Sequence, residues 1–247
     1  MWRKELKDLR TRTLVFLFLF VGTFIFLVVM KDYTRSLSEL LETAPKGLLE
    51  RFGMTEEFIE KLGDWNFYVT TQWYGKNLGQ FIPLFAIIVA FPLVAREVEN
   101  QTIELLLARL SRKTVFFTKF SAPLIAFSIV TVAMVLLPLP VTAFLKETLD
   151  AGTVGKYLVT HLVGGILWYC VTFFFSILSS DQVRPLIISL ALLGGTTTLG
   201  IVRRLSFLNT FAYVMKGDPT FPQTLGYVLM SALIVGLSYR IFLEKDF

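Results

Sequence analysis

Charge and side-chain reactivity are scarce in this sequence. Of its 247 residues 17% are Asp, Glu, Lys or Arg, against roughly 25% in an average soluble domain. The one cysteine, Cys170, excludes an internal disulfide and a multi-cysteine metal site, and its apolar neighbours suit a small core residue. The one histidine, His161, stands near the start of an apolar block, where a structural role is the simpler reading. A phosphate loop of the form G-x-x-x-x-G-K-[ST] is missing: Gly75-Lys76 and Gly155-Lys156 are followed by Asn77 and Tyr157 and lack the earlier glycine.

What is abundant is apolar surface. Hydrophobic residues make up 54% of the chain and mean hydropathy is +0.64, above the roughly 45–50% apolar share of a soluble domain. These residues come in long blocks without alternation or amphipathic periodicity, the pattern of membrane-spanning helices. A helix rises about 1.5 Å per residue and the hydrocarbon core is about 30 Å thick, so a span needs about 17–25 apolar residues. Six blocks qualify, over 13–30, 80–95, 115–145, 157–178, 185–202 and 223–243, the second being short and expected to extend at its ends. The expected fold is an all-α membrane protein, a single transmembrane domain over 1–247. Met1–Arg12 is basic and precedes an apolar stretch that ends in Val28-Val29-Met30-Lys31 without a small-residue cleavage site, which reads as an uncleaved first span.

The net charge of +5 forms no continuous basic patch, so no nucleic-acid partner is expected. Instead the basic residues mark topology. Thirteen lie in connections on one side (Met1–Arg12, Arg96–Lys119, Arg184, Arg240, Lys245) and five on the other (Lys146, Lys156, Arg203, Arg204, Lys216), with 31–79 left out because of its length. Both termini are therefore expected to be cytoplasmic in a multi-pass protein of the plasma (cell inner) membrane, with Arg203 and Arg204 against the trend.

Residues 31–79 are expected to form a helical external loop, with helix starts at Ser36-x-x-Glu39 and Thr55-Glu56-Glu57. Trp65, Phe67, Tyr68, Trp73 and Tyr74 suit the headgroup layer, as a cap on the membrane or, alternatively, as a substrate lid. Met1–Arg12 places Trp2, Leu6 and Leu9 opposite Arg3, Lys7 and Arg10, an N-terminal amphipathic helix whose basic face would anchor to the membrane surface. Gly194-Gly195, Ala191 with Gly195, and Ala232 with Gly236 supply small residues for close helix approach, within the chain or at a dimer seam.

The mechanistic signal lies between the second and third blocks, over 96–112. Ile103, Leu106, Leu107 and Leu110 form an apolar stripe, with Glu97, Asn100, Gln101 and Glu104 opposite. Acids lead and Arg109, Arg112 and Lys113 trail, in accord with the helix dipole. Such a helix would lie on the cytoplasmic surface and offer carboxylates and a hydroxyl to a partner; an ordinary solvated loop helix has the same spacing.

The run Glu97-x-Glu99-x-x-Thr102-x-Glu104-x-Leu106-Leu107, followed by Ser111-Arg112 and then Lys119, resembles the signature of type-2 ABC exporter permeases. The six-span count, the N-terminal helix and the long loop before the second span fit the same family. Gln101 stands where the family usually has Gly, and the stretch before Ser111 lacks the usual Pro and is one residue shorter. The resemblance implies that 96–112 is a coupling helix seated on a separate ABC ATPase subunit, that ATP and Mg are bound by that subunit with no cofactor in this chain, and that a second permease copy or a related permease completes the pore. It implies contacts to the ATPase from Glu97, Glu99, Thr102, Glu104, Leu106, Leu107, Arg109, Ser111 and Arg112. Arg3, Lys7, Arg10 and Lys119 would anchor to phosphates at the membrane surface, as would Arg112. None is assigned a catalytic role. Charge reversal at Glu97 and Glu104 would then uncouple ATP hydrolysis from transport.

Two other functions compete. A membrane-embedded enzyme needs paired ionisable groups at membrane depth, and the five most apolar blocks contain none. An ATP-independent transporter or channel needs buried carboxylates or broken helices; Pro83, Pro92, Pro138 and Pro140 offer breaks but no acid accompanies them. The Phe-rich interior favours a lipidic or amphiphilic cargo without specifying one.

Overall fold

The computed structural model describes residues 1–42, 61 and 63–246, which form helices and turns without a strand. Helix α1 (Trp2–Glu42) is continuous over 41 residues, about 60 Å, twice the hydrocarbon thickness. Its buried side follows helical spacing through Glu5, Leu9, Phe20, Phe24 and Leu27. The N-terminal stretch expected to lie on the surface as a separate helix is thus the start of α1. Of its expected apolar face only Leu9 is buried, while Trp2 and Leu6 point outward. The backbone passes through Ser36 without a break, so Ser36-x-x-Glu39 starts no helix; Thr55-Glu56-Glu57 lies outside the described residues.

The second stack begins fifteen residues before its expected start at 80. It comprises α2 (Trp65–Tyr68), a π-helix (Val69–Leu78), α3 (Gly79–Ala90) and α4 (Ala95–Glu99). Three aromatic residues expected at the headgroups, Trp65, Trp73 and Tyr74, are buried here instead. The reason is that their polar tips find partners inside. Trp73 Nε1 donates to the Met134 carbonyl (3.2 Å), Tyr74 Oη to the Val135 carbonyl (2.9 Å) and Trp65 Nε1 to Thr142 Oγ1 (2.8 Å). Pro138 has no N–H, so the Met134 carbonyl four residues earlier has no helical donor, and the indole supplies one.

After a short helix α5 (Ile103–Arg109), the chain continues through α6 (Arg112–Leu136), α7 (Pro138–Phe144), α8 (Ala151–Leu178) and α9 (Val183–Leu199). A 3₁₀ turn (Arg203–Leu208), α10 (Thr210–Lys216) and α11 (Phe221–Glu244) complete it. Among the described residues five segments are long and apolar enough to cross a membrane: Trp2–Thr34, Trp65–Glu99, Arg112–Phe144, Ala151–Leu178 and Phe221–Glu244. Helix α9, expected over 185–202, has 17 residues and reaches about 25 Å, short of the roughly 30 Å core. The chain then folds back along α8, where Trp168 Nε1 donates to Thr210 Oγ1 (3.0 Å) and Tyr157 Oη to the Met215 carbonyl (3.2 Å). Trp168 lies ten residues from the end of α8, which puts Thr210 about 15 Å inside the bundle.

Helix α8 is the hub, packed on α3, α6, α9 and α11. A Cβ on Gly164 would fall 2.3 Å from Val214, and one on Gly165 2.5 Å from Phe127, so this glycine pair admits α10 and α6 to close range. Around it Phe85, Phe116, Phe120, Phe127, Tyr169 and Phe173 pack ring against ring, with centroids 5.2–6.4 Å apart. Lipid removes the usual hydrophobic drive between helices, so such close packing and buried hydrogen bonds hold the bundle. By contrast a Cβ on Gly194, Gly195 or Gly236 meets nothing within 4 Å. The small residues expected to pack helices together there are not used within the chain.

Candidate functional site

Both termini lie at one end of the bundle, with 95–119 and the α8–α9 turn. Lys4 reaches Glu97 (3.0 Å), Lys245 Nζ donates to the Ile177 carbonyl (2.6 Å), and Arg112 donates to the carbonyls of Phe242, Leu243 and Lys245 (3.3, 3.2 and 2.5 Å). At the opposite end Lys31 pairs with Glu147 (2.5 Å), and Asn66 Oδ1 accepts from Asp150 N (3.0 Å).

Residues 96–112, expected as one coupling helix, are two short helices joined by a tight turn. Asn100 ends α4, and Gln101 takes a left-handed φ of 56°. Thr102 N then donates to the Glu97 carbonyl (2.8 Å) and Gln101 N to the Val98 carbonyl (3.0 Å). These two bonds make a Schellman motif, whose left-handed position favours glycine. Gln101 takes this left-handed position at a steric cost of about 1–2 kcal/mol. The reversal redirects the chain so that α5 rests on α6 through Ile103, Leu106 and Leu107, while Glu104, Leu105, Ala108, Arg109 and Leu110 stay exposed. Leu110 thus leaves the apolar stripe that periodicity gave it and joins Leu105, 63% exposed, on the outer surface.

Beneath α5 sits a buried ionic cluster. Lys119 is fully buried and its ammonium lies 3.1 Å from both Glu5 Oε1 and Glu97 Oε1. Glu97 also receives Lys4 on the same oxygen and the Thr102 hydroxyl on the other. Two carboxylates and two ammonium groups balance formally, and both Glu97 oxygens are occupied, the condition under which buried charge is tolerated. Beside the cluster Arg96 pairs with Asp8 (2.5 Å), and the Arg12 guanidinium lies 5.1 Å from the Phe91 ring centroid. Behind α4, Ser176 Oγ of α8 accepts from Val94 N and Ala95 N (3.0 Å each), donors left over where Pro92 breaks the stack. The start of α1, the α4–α5 turn, α6 and α8 therefore meet at one point.

Several expected assignments change. Lys119 is not at the membrane surface: burial and two carboxylates remove it from any phosphate. Glu97 is 3% exposed and faces Lys119, so it offers no carboxylate to a partner. The Thr102 hydroxyl donates to Glu97, and Ser111 caps α6, accepting from Thr114 N (3.2 Å). Arg112 spends donors on the last carbonyls of α11, which complements that helix terminus. Of the remaining residues Glu99 accepts from Gln182 Nε2 (2.7 Å), tying α4 to the α8–α9 turn, and Glu104 and Arg109 are exposed on α5. Arg3, Lys7 and Arg10 are exposed on one face of α1, in line with Leu14 and Phe18.

Periodicity missed Glu5, Lys4 and Ser176. A signal for Glu5 does exist, since it shares the stripe of Leu9, Phe20 and Phe24; an acid on that stripe demands a buried cation. At the distant end His161 is fully buried, its Nδ1 2.7 Å from the Tyr157 carbonyl, a structural contact within α8. Among the described residues no three His, Cys, Asp or Glu side chains are grouped to hold a metal ion.

These features define a multi-pass helical membrane protein with an exposed amphipathic helix between its second and third membrane segments. The family model for ABC-2 family transporter proteins matches residues 1–213, and the chain belongs to that family as a membrane transport permease. No curated protein and no solved structure matches the chain with significance.

Proposed function

We propose that this chain is the transmembrane subunit of an ATP-driven exporter and that a separate nucleotide-binding subunit, which holds ATP and Mg, docks on α5. The observation that carries this reading is the outer face of α5. Glu104, Leu105, Ala108, Arg109 and Leu110 leave an apolar strip flanked by both charge signs uncovered at the end that bears the termini. That end is cytoplasmic in this reading, in line with the Lys and Arg bias, and the membrane is the plasma membrane. Leu106 and Leu107 support α5 from behind, Glu99 ties α4 to the α8–α9 turn, and a push on α5 reaches α1 and α6 through Glu97 and Lys119. Helix α9 completes the sixth crossing together with the segment that folds back along α8. Its Thr196, Thr197 and Thr198 hydroxyls all bond to carbonyls of their own helix, so the open Gly194-Gly195 face is apolar enough for a second permease. Arg3, Lys7 and Arg10 meet lipid phosphates at the membrane surface.

The test is affinity purification of the tagged chain from its native membranes. An ATP-hydrolysing subunit in stoichiometric amount supports the reading. A chain that purifies alone, or transports without ATP, contradicts it.

A further inference from the structure

The loop that carries α10 encloses, with the first turns of α11, a cleft of about 680 Å³ lined by Phe207, Tyr213, Lys216, Asp218, Gly226 and Met230 among others. Its volume falls in the range of small-molecule sites, about 300–1,000 Å³. The tyrosine hydroxyls that line it are already paired. Tyr213 Oη bonds Thr224 Oγ1 (2.8 Å), while Tyr227 Oη donates to the Phe207 carbonyl (2.9 Å) and accepts from Gln223 Nε2 (3.1 Å). These two tyrosines therefore turn ring surface to the cleft, their rings edge to face at 4.9 Å, beside Phe207, Pro222 and Met230.

Charge is confined to the rim. Lys216 and Asp218, both exposed, flank Gly217. Gly217 has φ 59°, and a Cβ there would fall 2.3 Å from the Tyr157 ring, so the turn that carries the two opposite charges is seated on α8. No ion-pair partner for either is present among the described residues. From Phe221 at the start of α11 to Met230 the helix descends nine residues, about 14 Å. Phe207 and Met230, 61% and 48% exposed, open the lower end outward. Gly226 stands in the wall with nothing within 4 Å of an added Cβ.

We propose that this cleft binds a zwitterionic phospholipid of the surrounding bilayer. The phosphate sits at Lys216, the ammonium at Asp218, and one acyl chain runs past Gly226 to Phe207 and Met230. Paired charges of opposite sign at the rim match a headgroup that carries both, and the ring-lined wall leading to half-membrane depth matches the chain. The site is independent of whether an ATPase drives the protein.

The probe is a phosphatidylcholine with a photoactivatable diazirine in its acyl chain, incorporated at trace level into phosphatidylglycerol vesicles that contain the purified full-length chain. Cross-links are expected to concentrate on the peptides bearing Phe207 and Met230. Gly226→Leu puts a side chain into the wall from a position where an added Cβ meets nothing and should lower that yield about tenfold, or about 1.4 kcal/mol. Its melting temperature should stay level or rise, because glycine inside a helix is unfavourable. Asp218→Lys should shift labelling toward a phosphatidylglycerol probe with the same diazirine. Uniform labelling along the lipid-facing helices, unchanged in Gly226→Leu, overturns the proposal. So does a spontaneous disulfide between two Gly226→Cys copies, which places a second chain where the lipid is assigned; the native Cys170 is buried and does not interfere.

Discussion

Lys119 and Gln101 carry the sharpest consequences at the scale of single residues. Lys119→Met leaves Glu5 buried without its cation and Glu97 with only half-exposed Lys4, and removal of one partner from a buried pair costs about 3–5 kcal/mol. A large fall in the melting temperature of the purified protein is expected, with part of it recovered in Glu5→Gln/Lys119→Met. Lys4→Met removes an ion pair that is half in solvent and should cost at most about 1 kcal/mol. Gln101→Gly relieves the left-handed turn and should stabilise the protein by about 1 kcal/mol in the same assay. Unchanged or lower stability would show that the turn carries no strain. The Glu97 reversal suggested by the motif is now a test of folding, because it would set a third cation against Lys4 and Lys119. The sequence put Lys119 and Glu97 in one motif but did not bring their side chains together. Their partner Glu5 stands 92 residues from Glu97, a distance that no local period reaches.

At the scale of elements, the π-helix before α3 binds α6 where Pro138 disrupts it. Trp73→Phe keeps the ring and removes the donor to the Met134 carbonyl, at an expected cost of about 1–3 kcal/mol for an unsatisfied buried acceptor. Pro138→Ala supplies a backbone N–H, so the penalty of Trp73→Phe should shrink in that background; additive losses would show that the indole bond and the proline are unrelated. Apolar blocks were legible for five of the membrane segments, because about 20 consecutive apolar residues have few other uses. The starts of the second and fourth segments were not. Trp65, Trp73 and Tyr74 are amphipathic residues that suit headgroups and satisfied interiors equally, and composition does not distinguish the two. Likewise the 96–112 periodicity revealed an amphipathic stretch, but the break at Gln101 depends on a backbone angle that only the departure from the family's glycine hinted at.

For the molecule as a whole, the buried cluster of Glu5, Lys119 and Glu97 ties α1 to α6 and the α4–α5 turn, so under the proposed function a push on α5 would reach α1. This gives α1 a role that its composition alone, read as a surface anchor, did not suggest. A change at the outer face of α5 should therefore act on coupling without acting on folding. Glu104→Lys/Leu105→Ser alters exposed positions only, where stability effects stay within about 0.5 kcal/mol. The decisive measurement is the amount of ATP-hydrolysing subunit retained by the tagged chain, wild type against Glu104→Lys/Leu105→Ser, with the melting temperature of each recorded. The account predicts stoichiometric retention by the wild type, loss of about tenfold or more in the variant, and equal melting temperatures. Equal retention by both chains, or no ATPase with either, would contradict it.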